Sequence, residues 1–174
     1  NNDGRMDFIA TDMAGSTHYK SKLAMGDMDK FAWFLESGSP RQYMRNALYL
    51  NTGSGEKIEV AQQLGLSASD WTWSPKFGDL DCDGWLDIFI TNGMTADLFN
   101  SDMRRQTQFE GEETPIAQLP VKKDVNVAMR NTGKMKFEDM GDQWGLAEAN
   151  ASFGASLVDL DGDGDLDLIV NRFK

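Results

Sequence analysis

The stretch DLDCDGWLD, Asp79 to Asp87, carries four carboxylates in nine residues, has Gly84 at its sixth position and runs directly into IFITNG. Like charges this close repel unless a cation sits among them. The string returns as DLDGDGDLD at Asp159 to Asp167, and its second half opens the chain as NNDGRMD, Asn1 to Asp7. Asp3, Asp83 and Asp163 are spaced by 80 residues, and the register extends beyond the loops. Asn46, Asn51, Thr52, Gly53, Gly65 and Leu66 match Asn126, Asn131, Thr132, Gly133, Gly145 and Leu146 without a gap. A fixed period of this length marks a repeat architecture.

Working outward from the loop, each unit reads as short strands. Trp73–Gly78 and Phe153–Val158 lead in, and LDIFITN and LDLIVN lead out, rich in β-branched and aromatic residues. NALYLNTGSGEKIEV and NVAMRNTGKMKFEDM read as hairpins around an Asn-Thr-Gly turn. Four short antiparallel strands per unit predict an all-β fold of β-propeller blades. The chain then holds a partial propeller of about two blades with short helical inserts. The expected organisation is a blade at residues 1–70 lacking its first strand, a complete blade at 71–145, and the start of a third at 146–174.

The inserts, about residues 13–45 and 93–125, scarcely resemble each other, and variable connections are where recognition is commonly carried. In the first, Tyr19, Leu23, Phe31 and Phe34 predict a short helix capped by Ser16 and broken at Gly26. The second holds Leu98, Phe99 and Met103, the acidic run Glu110 to Glu113, and a loop return marked by Pro115 and Pro120.

Carboxylates at alternate positions converge when a backbone curls around one centre, and a sixth-position glycine permits the turn. An all-oxygen set suits Ca2+, a hard cation that takes about six to eight oxygen ligands, and the lack of clustered His and Cys argues against zinc or copper. The middle loop offers Asp79, Asp81, Asp83 and Asp87 by side chain and Trp85 by carbonyl. The last offers Asp159, Asp161, Asp163 and Asp167, with Asp165 by carbonyl. In the partial first loop the corresponding residues are Asn1, Asp3, Arg5 (by carbonyl) and Asp7. An EF-hand would need a Glu at the twelfth position and flanking helices. That position is Ile90 or Val170 here, and the flanks read as strands.

The composition agrees. A net charge of -11 leaves no Lys/Arg excess for nucleic acid or an anionic membrane. Three bound calcium ions would bring it to -5. Hydrophobic residues make up 40% of the chain, enough for a packed core rather than a disordered segment. No apolar run approaches the roughly 18 residues of a membrane span. No secretory leader is legible; because the chain reads as opening inside a repeat unit, a leader upstream of Asn1 is compatible with this expectation.

With these residues in view, FGASLVDLDGDGDLDLIVN resembles the FG-GAP (VCBS) repeat of integrin α-subunit propellers, Phe153-Gly154 being its FG. The GAP element is replaced by Asn92-Gly93 and Asn171-Arg172. The segment from Arg45 to Gly93 is similar to the bacterial branch of the cartilage acidic protein family, whose members often carry an ASPIC/UnbV domain. The resemblance implies a calcium-stabilised propeller, exported to periplasm, cell surface or medium and used for protein or glycan binding or adhesion. It also implies that remaining blades or neighbouring chains complete the arc. The leading expectation is a non-catalytic binding module. A propeller enzyme acting on polysaccharide, with catalytic groups outside this segment, and a structural subunit of a surface assembly are the alternatives.

Other residues carry less. His18, the sole histidine, gives a catalytic triad little to build on. Trp71, Trp73, Trp85 and Trp144 are read as blade packing rather than sugar platforms, and the methionines as gap-fillers between blades. Cys82 sits at a non-ligand loop position and is read as an incidental small residue, and Asn150-Ala151-Ser152 matches a glycosylation sequon.

Overall fold

The computed structural model describes residues 1–25, 36, 43–98, 100 and 118–173. In chain order the elements are β1 (Phe8–Ala10), β2 (Met13–Ala14), α1 (His18–Met25), β3 (Ala47–Asn51), β4 (Lys57–Glu59), β5 (Asp70–Gly78) and β6 (Asp87–Asn92). There follow β7 (Asp124–Val125), β8 (Val127–Asn131), β9 (Phe137–Asp139), β10 (Ala149–Val158) and β11 (Asp167–Phe173).

They form three antiparallel sheets, ordered β1-β3-β4, β2-β5-β6-β8-β9 and β11-β10-β7. The central sheet contains a four-strand meander, β5-β6-β8-β9, joined at one edge by β2 from the preceding insert. The fold is that of a partial β-propeller.

Strand β6 shows why the sheets stack. Side chains alternate across a strand, so a strand buried on both faces must be covered twice. Ile88 and Ile90 pack with Leu48, Val60, Ala61, Leu64 and Leu66 of the preceding unit. Phe89, between them, turns to Ala128 of β8 and Ala155 of β10, with Trp144, Leu146 and Leu168 around it. The repeated Gly-Leu segments supply part of each core. Leu66 and Leu146 donate their amides to Ala61 and Gly141 carbonyls at 2.8 Å, closing a tight turn behind each hairpin.

The lead-in strands are longer than the expected Trp73–Gly78 and Phe153–Val158, beginning at Asp70 and Ala149. Their extra residues pair with short strands from the inserts, Met13 with Trp71 and Val125 with Ala149. Periodicity within the strand could not reveal those partners. Each long strand also shifts register, between Thr72 and Pro75 and between Ser152 and Ala155. The amides freed there are not wasted: Phe153 and Gly154 both donate to Asn171 Oδ1, at 3.1 and 2.7 Å, and Ser74 donates to Thr91 Oγ1 at 3.1 Å.

The repeated Asn46 and Asn126 are structural. Asn46 is fully buried, donates to Leu66 O at 3.1 Å and Ser69 Oγ at 2.6 Å, and accepts from Asp12 N at 2.8 Å. Asn126 accepts from Asn92 N at 3.0 Å and donates to Ser152. Helix α1 is capped by Thr17, not Ser16: Lys20 N donates to Thr17 Oγ1 at 3.2 Å. Ser16 instead sends both its amide and its hydroxyl to Asp70 Oδ1, at 2.8 Å each. The expected break at Gly26, Phe31 and Phe34, and Phe99, Met103, Glu110 to Glu113 and Pro115 lie outside the described residues. Among the described residues no helix is long and apolar enough to cross a membrane.

Candidate metal centre

Each acidic loop joins a lead-in strand to the strand beside it, β5 to β6 and β10 to β11. In both, the first aspartate folds the loop through backbone amides. Asp79 accepts from Asp83 N at 3.0 Å and Gly84 N at 2.9 Å. Asp159 accepts from Gly162 N at 2.7 Å and Gly164 N at 3.1 Å. The ninth-position aspartate reaches back to the second residue: Leu80 N to Asp87 and Leu160 N to Asp167 are both 2.9 Å. These curls need a left-handed backbone at the fourth and sixth positions. Asn2, Cys82 and Gly162 have φ of 56, 59 and 77°, and Gly4, Gly84 and Gly164 have φ of 78, 88 and 98°.

The curling brings one carboxylate oxygen each from Asp79, Asp81 and Asp87 within 4.8 Å of one another, and does the same for Asp159, Asp161 and Asp167. Asp81 Oδ1 is shielded from solvent and accepts no hydrogen bond, which leaves a lone pair directed at no donor. An oxygen-only set with a spare acceptor fits a hard divalent cation. Asp79, Asp81 and Asp87 would hold it in the middle loop, and Asp159, Asp161 and Asp167 in the last. The cation would supply charge neutralisation and a cross-link between consecutive strands.

The fifth-position aspartates are placed differently. Asp83 pairs with Arg130 of β8, Nη2 to Oδ2 at 2.8 Å, while Arg130 Nε lies 2.6 Å from Asp81 Oδ2. The Trp85 amide and this guanidinium hold the Asp83 carboxyl below its ordinary range. Asp163 accepts from Asp165 N at 3.1 Å, and Asp165 is pushed up by its hydrogen bond to Asp163 and by the surrounding carboxylates. In the first loop, Asp3 pairs with Arg5 Nη2 at 2.5 Å and accepts from the Asn1 amide at 2.9 Å, while Asp7 accepts from Asn51 N at 2.8 Å. Those residues form no converging acidic group of the kind seen in the other two loops.

The seventh-position residues have a packing role that the ligand pattern did not reveal. The ring of Trp85 lies against Gly133, and the side chain of Arg5 against Gly53, so each loop rests on the hairpin turn of its own unit. Trp71 is buried, and Trp73 meets Phe153, its counterpart 80 residues on, edge-to-face at 5.2 Å. A cavity of about 620 Å³ opens among Met6, Leu50, Phe77, Trp85 and Phe137, and no insert residue lines it.

The family model described as an FG-GAP-like repeat matches residues 25–90 and 121–170. No curated protein and no solved structure matches the chain.

Proposed function

Because the chain belongs to the FG-GAP-like repeat family, we propose that it is a calcium-stabilised propeller segment of an exported protein, acting as a non-catalytic module that binds protein or glycan. The observation that carries the calcium part is the repeated convergence of positions one, three and nine, at Asp79, Asp81 and Asp87 and again at Asp159, Asp161 and Asp167. Metal-free, these carboxylates oppose loop closure, so binding free energy becomes folding free energy. Asp87 illustrates the strain: burial pushes its carboxyl up, even though the Asn131 and Leu80 amides pull the other way.

The binding role rests on the inserts, which differ between units while the aspartate pattern of the two complete loops does not, and on the family likeness. Export is proposed from membership of the FG-GAP-like repeat family. Neighbouring blades or chains are the proposed partners for the outer sheets.

The test is calcium titration into chelator-stripped chain, followed by melting with and without the ion. Calcium should bind and raise the melting temperature, and D79N/D81N and D159N/D161N should each remove one site. No uptake and a chelator-insensitive melt would overturn the calcium reading. Cleavage of polysaccharide by the purified chain, abolished by substitutions within it, would overturn the non-catalytic one.

A further inference from the structure

We propose that Arg130 is a resident counter-cation of the middle acidic loop, holding it closed without metal and competing with metal for Asp81 and Asp83. The proposal rests on the calcium reading above and adds that the two complete loops are unequal in their need for the ion.

The geometry is a two-point grip. Arg130 leaves β8 and donates Nη2 to Asp83 Oδ2 at 2.8 Å, while its Nε lies 2.6 Å from Asp81 Oδ2 as an ion pair without hydrogen-bond alignment. A planar guanidinium suits such bridging of two carboxylates in a way a lysine ammonium does not. A guanidinium keeps its charge at any working pH, so the counter-cation is permanent. The first loop reaches a similar solution by another route. Arg5, from within that loop, pairs with the fifth-position Asp3 at 2.5 Å and donates to Asn51 O at 2.9 Å. No such ion pair reaches Asp161 or Asp163 among the described residues, so the last loop holds its charge without an arginine.

The repeat supplies an internal control. Arg130 stands 80 residues after Leu50 of β3, so the same strand position accepts an aliphatic side chain. Arg130→Leu therefore removes the guanidinium without demanding a new backbone. A fixed positive charge about 6 Å from a divalent cation in a solvated loop weakens its binding about tenfold. The middle loop should then bind calcium about tenfold more weakly than the same loop in R130L.

The experiment uses the full chain, stripped with chelator and titrated with calcium chloride by calorimetry, with D159N/D161N added so that the middle loop is read alone. In that background R130L should tighten the remaining site about tenfold. In chelator it should also melt lower than the parent, with calcium restoring the difference. R130K, which keeps charge but not the fork, should fall between in both measurements, and reads the effect even if R130L folds only with calcium. An unchanged or weaker site in R130L, with calcium still bound, overturns the role of Arg130 alone. Absence of calcium binding in every variant, the D159N/D161N parent and the unmodified chain included, overturns the calcium reading and this inference with it.

Discussion

The main-chain amide of Asn131 donates to Asp87 Oδ1 at 2.8 Å, tying the ninth position of the acidic loop to the hairpin turn of the same sheet. Asn131 returns the contact, its side-chain amide donating to Leu86 O at 3.1 Å. The first unit repeats the bond between Asn51 N and Asp7 Oδ1, also at 2.8 Å. One carboxylate therefore serves as a candidate metal ligand and as the clasp between two turns.

Replacing Asp87 tests the clasp apart from the metal. Asp87 is fully buried and accepts from Leu80 N as well as Asn131 N. Asp87→Ala leaves the buried Asn131 amide and the part-buried Leu80 amide unpaired and should cost about 2–4 kcal/mol in chelator, where no metal contributes. Denaturant unfolding of the chelator-treated chain reads this directly. A loss seen only when calcium is present would mean that Asp87 acts through metal alone.

Gly133 should resist any side chain. Its φ is 72°, and a Cβ there would lie 2.6 Å from Trp85 Cε2. Gly133→Ala combines left-handed strain with overlap against a packed ring, for a loss of about 1–3 kcal/mol. Gly53→Ala should lose less, because its neighbour at 3.2 Å is the flexible side chain of Arg5. Thermal melts of the two variants should rank in that order.

Cys82 occupies a left-handed position, with φ of 59°, that Asn2 and Gly162 fill in the other loops. Cys82→Gly should raise the melting midpoint by about 2 °C, whereas Cys82→Val should lower it, because a β-branched residue disfavours this backbone. Equal midpoints for the two variants would show that the position is unstrained.

Asp70 anchors the first insert. Burial alone would raise its carboxyl, but Lys20 Nζ at 2.5 Å and the Ser16 amide and hydroxyl hold it below the ordinary value. Lys20 also faces Asp124 at 3.7 Å, and Lys122 pairs with Asp124. A depressed carboxyl contributes stability above its unfolded pKa of about 3.9 and loses it as pH falls through the lower folded value. Asp70→Asn should therefore cost about 1–2 kcal/mol at neutral pH, limited by the partial exposure of Lys20. The gap between variant and parent should begin to narrow below about pH 3.9 and close as pH falls through the lower folded value, where the folded parent carboxyl itself protonates. Paired melts at pH 7 and pH 3 check this.

Much of the fold was legible because a repeat states its rules more than once. The 80-residue spacing, the Asn-Thr-Gly turns and the short apolar runs identify the strands and hairpins that the structure contains. The convergence of the first, third and ninth aspartates was likewise open to reading, since alternation in a curled loop is a local property, but Asp83 and Asp163, expected among the same ligands, lie outside the converging groups. What stayed hidden was the identity of partners distant in sequence. Nothing local says that Asp70 and Ala149 extend their strands, because β2 and β7 come from the divergent inserts. The fourth loop position read as free, since one cysteine among aspartates does not advertise its backbone angle.

The amino-acid sequence by itself therefore determined the repeat, the all-β blades and the oxygen-rich loops, which follow from periodicity and side-chain chemistry within about ten residues. Only the tertiary structure decided how each loop's charge is shared. Arg130 lies 47 residues from Asp83 and 49 from Asp81, on a strand that only sheet pairing brings beside them. Coulombic interaction depends on distance in space, and that distance is set by the register of β6 against β8.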